Sequence, residues 1–457
     1  MVDRIETLII LGASGDLTAR LLLPGLSQML ENKSEHPLQL IGVGVDALTD
    51  DEWRAKVTAS FAAGGTAAER SNETASTAIY LQADVTKPAD LTRILAAAAG
   101  TPALYFALPP KVTILACAAL GQIELPEGLV LGLEKPFGTD LASAKALNSQ
   151  LIKLVPERHI HRIDHFIGKS TVLNILGLRF ANRIFEKIWS AENIDSVEII
   201  FDETLALEGR AGYYDNAGAL VDMIQSHLLL VMAIVAMEPP SSLDAEDLRG
   251  AMAQALRAAR PWKGDVNAAS KRAVYTAGTI DGRTLPSYTE EKGVNPALGT
   301  ETLAELTVGI ENTRWAGVPF RLRSGKALVD KRQEIVVTFK DVNHRPYGFV
   351  GTTPPAQLRI GLNPDSIQLD LDINGEGSPF TIDRVMLATE FAAGEMGPYG
   401  EVLHGILSDD PTLSVRADAV EECWRIVEPV LASWRSNAVP LETYRAGSSG
   451  PDGWPQP

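Results

Sequence analysis

The chain has 457 residues, 45% hydrophobic and 22% charged, which suits two or three soluble domains with sizeable cores. Its net charge of −17 argues against nucleic acid or an anionic membrane surface as a partner. Two cysteines, Cys117 and Cys423, exclude a disulfide framework or a thiolate cluster, and no metal site is expected.

The opening Met1-Val-Asp-Arg-Ile-Glu has no apolar run of the signal-peptide kind. The longest apolar run, Leu228 to Met237, spans 10 residues and is too short to cross a bilayer. Cytoplasm is the expected compartment.

Residues 5–12 read as a buried strand ending in glycine. Gly12-Ala-Ser-Gly15-Asp16-Leu17 leads into a helical pattern over Thr18 to Leu30. A second strand over 38–45 ends at Asp46, and Thr49-Asp-Asp-Glu52 is a helix-start signature. Further strands fall at Ala78 to Ala83, Ala103 to Leu108 and Leu129 to Leu133, with helices at Leu91 to Ala99 and Val112 to Leu120. This alternation predicts a doubly wound parallel sheet over residues 1–164. Beyond it, strands follow one another without crossover helices, at Asp195 to Phe201, Thr302 to Ile310, Glu334 to Lys340, Pro355 to Leu362 and Ser366 to Ile373. Helices are expected at Ser170 to Arg183, Ala217 to Met237 and Asp418 to Leu431. Residues 165–445 are therefore read as an α+β domain, and 446–457 as a mobile tail.

Three stretches carry chemistry. Gly12 and Gly15 lie between a strand and a helix, where backbone N–H groups can approach a pyrophosphate. Asp46, at the end of the second strand, favours a free ribose 2′-hydroxyl and so NAD over NADP. Glu134-Lys135-Pro136-Phe137-Gly138 follows the fifth strand, at the sheet edge where ligands bind, and a cis Pro136 would fix the direction of Lys135. In Arg162-Ile-Asp164-His165-Phe-Ile-Gly-Lys169, a helical turn over 165–169 would point His165 and Lys169 the same way, beside a carboxylate. That arrangement suits an anionic, hydroxylated ligand; a solvated charged face is the alternative.

With Ala107-Leu-Pro-Pro110, Gln225-Ser-His227-Leu-Leu and Val318-Pro-Phe-Arg-Leu-Arg-Ser-Gly-Lys326-Ala-Leu, these stretches stand in one order over residues 7 to about 435. In that order the chain closely resembles the glucose-6-phosphate 1-dehydrogenase family, for which the R-I-D-H-(Y/F)-x-G-K block is highly specific. The resemblance implies a Rossmann domain followed by a β+α domain whose large, mainly antiparallel sheet dimerises, giving a homodimer or homotetramer. It implies oxidation of D-glucose 6-phosphate at C1 to the 1,5-lactone, with hydride passing to NADP or NAD. His227 matches the general base, and Asp164 the carboxylate that orients it. His165 and Lys169 match the phosphate ligands, while Lys135, Lys326 and Lys331 reach the substrate. Glu203 and Asp222 match acids that bind sugar hydroxyls. Five apart on an α-helix, Asp222 and His227 would be offset by roughly 140° and would flank a site without stacking. Gly12, Ser14, Gly15, Asp16, Leu17, Asp46, Pro109 and Lys135 match the cofactor site. Phe166, Ser170 and Val45-Asp46 depart from the usual Tyr, Glu and Arg-bearing segment. The alternatives are a dehydrogenase of another 6-substituted aldose and a silent nucleotide-binding homologue.

Overall fold

In the first strand, β1 (Ile5–Leu11), every side chain but that of Glu6 is buried. A run apolar on both faces belongs at the centre of a parallel sheet, and that is its place in a computed structural model. The model describes residues 5–32, 38–65, 69–209, 211–375, 379–391, 394 and 396–454. Met1–Arg4, read above as part of the opening segment, and the last three residues of the expected tail lie outside them. The chain forms two compact units. The first takes Met1–Lys169, Pro240–Ala253 and Ala393–Glu421; the second takes Ser170–Pro239, Gln254–Ala392 and Glu422–Pro457.

In the first unit, β1 is joined by β2 (Gln39–Gly44), β3 (Ile79–Gln82), β4 (Thr101–Phe106), β5 (Val130–Glu134) and β6 (Ile160–Ile163). They form a parallel six-stranded sheet in the order β3-β2-β1-β4-β5-β6. The order reverses between β1 and β4, so their carboxyl ends open the crevice where such sheets bind nucleotides. Thr49 caps the helix Asp50–Ala63 through the expected box with Glu52.

β6 reads poorly as a strand because it carries His161 and Arg162, yet all four of its residues are buried. Arg162 is held by both carboxylate oxygens of Glu157 (2.7 and 3.1 Å) and by Asn148 Oδ1 (3.0 Å). Its carbonyl accepts from Val415 N–H at 2.9 Å, which fastens a returning stretch of chain to this sheet edge. Arg162 thus builds the frame, and the residues after it carry the chemistry.

The second unit holds a sheet in the order β17-β16-β15-β14-β7-β13-β12-β9-β18, with β8 also paired to β12. Its strands are β7 (Ile194–Asp202), β8 (Ala259–Pro261), β9 (Ser270–Thr276), β12 (Leu303–Ile310), β13 (Pro319–Gly325), β14 (Arg332–Phe339), β15 (Gln357–Leu362), β16 (Asp365–Asn374), β17 (Ile382–Glu390) and β18 (Leu441–Arg445). A separate hairpin pairs β10 (Gly278–Ile280) with β11 (Arg283–Leu285). Among the described residues, only β7 with β13 and β9 with β18 pair in parallel in this sheet; its other strand pairings are antiparallel. The run Ala211–Ala236 is long and apolar enough by composition to cross a membrane, but 89% of its apolar window is buried inside the protein. It is a core segment of this unit, broken at Gly218.

The tail from Ala446, read as mobile, is packed as far as Trp454. The Trp454 ring is 4% exposed and its Nε1 donates to Glu442 at 3.0 Å. Arg323 Nη2 donates to the Ser449 carbonyl at 2.7 Å. Buried aromatic area and a charged donor outweigh the flexible composition of the tail.

Candidate active site

The cofactor cradle lies wholly in the first unit. Gly12 ends β1 with φ +90°, and a Cβ there would lie 2.2 Å from the Ala107 carbonyl oxygen at the end of β4. Only glycine allows this approach of the two strand ends. The N–H groups of Gly12 and Ala13 both go to the Val43 carbonyl on β2, at 2.8 and 2.9 Å. Ser14 and the first-turn N–H groups of Asp16 and Leu17, where the helix begins, are the groups of this turn that could meet an anion. Pro109 stands at the N-cap of Pro110–Leu120, two residues past the Ala107 carbonyl that meets Gly12. Asp46 is exposed two residues beyond β2, and its carbonyl accepts from the Tyr80 hydroxyl at 3.1 Å. The crowded, glycine-backed turn fits a dinucleotide.

At the end of β5, the Lys135–Pro136 peptide is cis, as anticipated. The Glu134 carboxylate takes hydrogen bonds from the Tyr105 and Tyr399 hydroxyls. Burial pushes its pKa up to about 7; the two tyrosines oppose this and the Asp164 charge adds to it. Asp164, 0% exposed, accepts from Phe166 N–H at 3.0 Å. This local bond draws the chain into a turn, with Ile167 N–H on the Asp164 carbonyl and Lys169 N–H on the Phe166 carbonyl, each at 3.2 Å. The helical turn that would have aligned 165 with 169 is therefore absent, and helix starts at Ser170.

His165 and Lys169 still meet, through Phe166. The His165 ring packs edge-on to Phe166 at 5.1 Å, and Lys169 Nζ sits 4.5 Å from the centroid of the same ring. A buried Phe supports the lysine by cation–π contact where a Tyr would offer a hydroxyl. Tyr399 also stacks on His165, 6.0 Å between centroids.

In the second unit, Lys326 Nζ donates to Glu203 Oε2 at 2.6 Å and lies 5.3 Å from the Tyr214 ring. Burial raises the Tyr214 hydroxyl well above its ordinary value, and the Asp222 and Glu301 charges push the same way. Glu203, Lys326, Tyr214 and Asp222 thus share one neighbourhood. Lys331 is exposed, and no contact ties it to this group among the described residues.

His227 is 4% exposed on a segment, Leu220–Leu228, wound as a π-helix. Bonds in such a helix run from i to i+5, so residues five apart fall one above the other. Asp222 and His227 therefore stack on one face, where α-helical periodicity predicted an offset. Gly218 (φ +66°, ψ 176°) breaks the helix just before this segment. A Cβ there would strike the Glu301 carboxylate at 2.3 Å, and that carboxylate caps the segment by accepting from Leu220 N–H at 2.9 Å. Ser170, where an acid was the commoner choice, donates to Asp365 at 2.8 Å; an acid there would face another acid.

Sequence reasoning missed Tyr399, Tyr214, Glu301 and Lys56. The first three are polar groups brought to the candidate site by packing against residues far along the chain. Each is an ordinary residue of its own local pattern.

A parallel sheet with its switch point at a glycine-backed anion cradle, in a chain that also buries a histidine beside sugar-type polar groups, defines a nicotinamide-dependent oxidoreductase. Comparison with known proteins sharpens this class. The family model for the glucose-6-phosphate dehydrogenase NAD binding domain matches residues 9–174, and that for the C-terminal domain matches 176–455. The chain is 42% identical to the glucose-6-phosphate 1-dehydrogenase of Gluconobacter oxydans, over 76% of this chain and 72% of that one. It is 37% identical to that of Treponema pallidum, over 97% and 92%. A solved glucose-6-phosphate dehydrogenase in complex with its substrate glucose-6-phosphate superposes with a TM-score of 0.88 at 28% identity, covering 99% of this chain and 97% of that one. The chain belongs to the glucose-6-phosphate dehydrogenase family.

Proposed function

We propose that this protein oxidises D-glucose 6-phosphate at C1 to 6-phospho-D-glucono-1,5-lactone in the cytoplasm, passing hydride to NAD+ or NADP+. The observation that carries this reading is the π-wound segment that buries His227 one turn from Asp222. A neutral imidazole there takes the C1 hydroxyl proton as the hydride leaves. Asp164, through its place in the shared motif, is assigned to hold the tautomer of that imidazole and to stabilise its cation, as carboxylates do in hydrolase triads. Asp222 and Glu203 accept from sugar hydroxyls; Lys326, already paired with Glu203, and Lys331 donate to them. His165 and Lys169 bind the 6-phosphate, and Lys135 reaches sugar and nicotinamide. The nicotinamide, when bound, supplies the hydride acceptor. Ser14, Asp16 and Leu17 hold its pyrophosphate end in a turn that Gly12 and Gly15 shape, their own N–H groups bonded to the Val43 and Gly12 carbonyls, with Pro109 beside it and Asp46 at its adenosine ribose. Turnover that requires both the 6-phosphate and His227 tests the reading.

Asp46 inclines the cofactor site to NAD+, because a carboxylate accepts from a 2′-hydroxyl and repels a 2′-phosphate. Asp46→Arg is expected to raise the NADP+ to NAD+ ratio of kcat/KM by about tenfold or more, the worth of a charge-assisted bond. An unchanged ratio places Asp46 away from the ribose.

The assembly we propose is a homodimer or a dimer of dimers. The register of β16 with β17 sets Leu369 against Leu387 and Leu371 against Val385. Those side chains therefore share one face with Ile373, and Leu387 is 58% exposed. The opposite face carries Asp370, Asp372 and Arg384, joined in ion pairs. An exposed row of aliphatic side chains at a sheet edge marks an interface. Leu387→Asp is expected to shift the protein to monomer in sedimentation velocity; an unchanged species would move the interface elsewhere.

A further inference from the structure

The helix Asp50–Ala63 brings a cation to the cofactor cradle that no motif marks. Lys56 Nζ donates to the Ser14 carbonyl at 2.6 Å. Ser14 itself reaches the end of β2, since a Cβ built on Gly44 would lie 3.5 Å from its Oγ. Asp46 follows two residues later, its backbone held by Tyr80. The loop after β1, the end of β2 and the next helix thus gather Ser14, Asp46 and Lys56 in one small subsite of the first unit.

Burial lowers the Lys56 pKa, while the charges of Asp46 and Asp16 both favour its ammonium form. The cation lies within the field of the carboxylate that would otherwise repel a 2′-phosphate. We propose that Lys56 is a specificity-determining residue that offsets Asp46, so that the adenosine ribose subsite accepts a 2′-phosphate as well as a free 2′-hydroxyl. With a free hydroxyl, Asp46 accepts from the ribose and Lys56 stays on the Ser14 carbonyl. With a phosphate, the ammonium turns to the phosphate oxygens, a charge-assisted bond. This inference rests on the nucleotide-binding reading of the first unit.

The test is calorimetric titration of the full chain with adenosine 2′,5′-bisphosphate and with AMP, which needs neither sugar nor turnover. The intact protein is expected to bind both. Lys56→Gln should weaken the bisphosphate by about 10- to 100-fold, the worth of a charged hydrogen bond, and shift AMP far less. Lys56→Arg should keep the ratio of the two affinities within a few-fold, and Asp46→Asn should tighten the bisphosphate. An equal loss of both ligands in Lys56→Gln would overturn the proposal and reduce Lys56 to a prop of the Ser14 loop. Intact protein that binds AMP and rejects the bisphosphate would overturn it as well. Intact protein that binds neither ligand would overturn the nucleotide-binding reading itself, and this inference with it.

Discussion

His227→Asn is expected to lower kcat by a factor on the order of 10² to 10⁴, because positioned general-base catalysis contributes about that much. The substitution keeps a polar side chain at a buried position, so the expected loss is that of the proposed base and not of the fold. Binding of glucose 6-phosphate, followed by equilibrium titration, should change little, since the proton moves only in the transition state. The π winding sharpens the expectation. With the π winding placing Asp222 on the His227 face, the proposed base and the proposed hydroxyl-binding acid would act from one side. A variant with unchanged kcat would remove His227 from the chemistry. One with unchanged kcat and raised KM would make it a binding residue.

Lys169→Ala is expected to raise KM for glucose 6-phosphate by about 10- to 100-fold, the worth of one charged hydrogen bond to phosphate. Its effect on unphosphorylated glucose should be a few-fold at most, since glucose offers that ammonium no anion. The lysine stands over Phe166, so its direction is set by the ring and not by a phenol hydroxyl. Phe166→Tyr would add a donor beside it and should lower KM for the phosphorylated sugar only. Equal effects of Lys169→Ala on glucose and glucose 6-phosphate would assign the 6-phosphate elsewhere.

The parallel sheet was legible because its central strands carry apolar runs buried on both faces, Leu8 to Leu11 in β1 and Leu40 to Val43 in β2, and because Gly12 and Thr49 mark its turns. The motif residues were legible as chemistry because charge is interleaved with apolar positions at a sheet edge. What stayed hidden was geometry that local periodicity does not encode. The offset between Asp222 and His227 followed from α-helical spacing, and the π winding replaced it. The turn after Asp164 was not legible, because the bond from Phe166 N–H to that carboxylate is invisible in residue spacing. β6 was hidden by Arg162, a charge that becomes tolerable in a core only when Glu157 and Asn148 meet it. The tail looked mobile because Gly, Ser and Pro dominate it, and Trp454 alone hinted at burial. Lys56 had no signal, since its role depends on a helix face turned to a loop forty residues upstream.

The central claim is that turnover requires the 6-phosphate. Its most direct test is the set of initial rates with glucose 6-phosphate and glucose, each with NAD+ and with NADP+, followed by absorbance of the reduced nicotinamide. The predicted result is strong turnover with the phosphorylated sugar alone, faster with NAD+ and measurable with NADP+. Equal rates with glucose, or no turnover with either sugar despite nucleotide binding, would contradict it and point to a differently substituted aldose or a silent homologue.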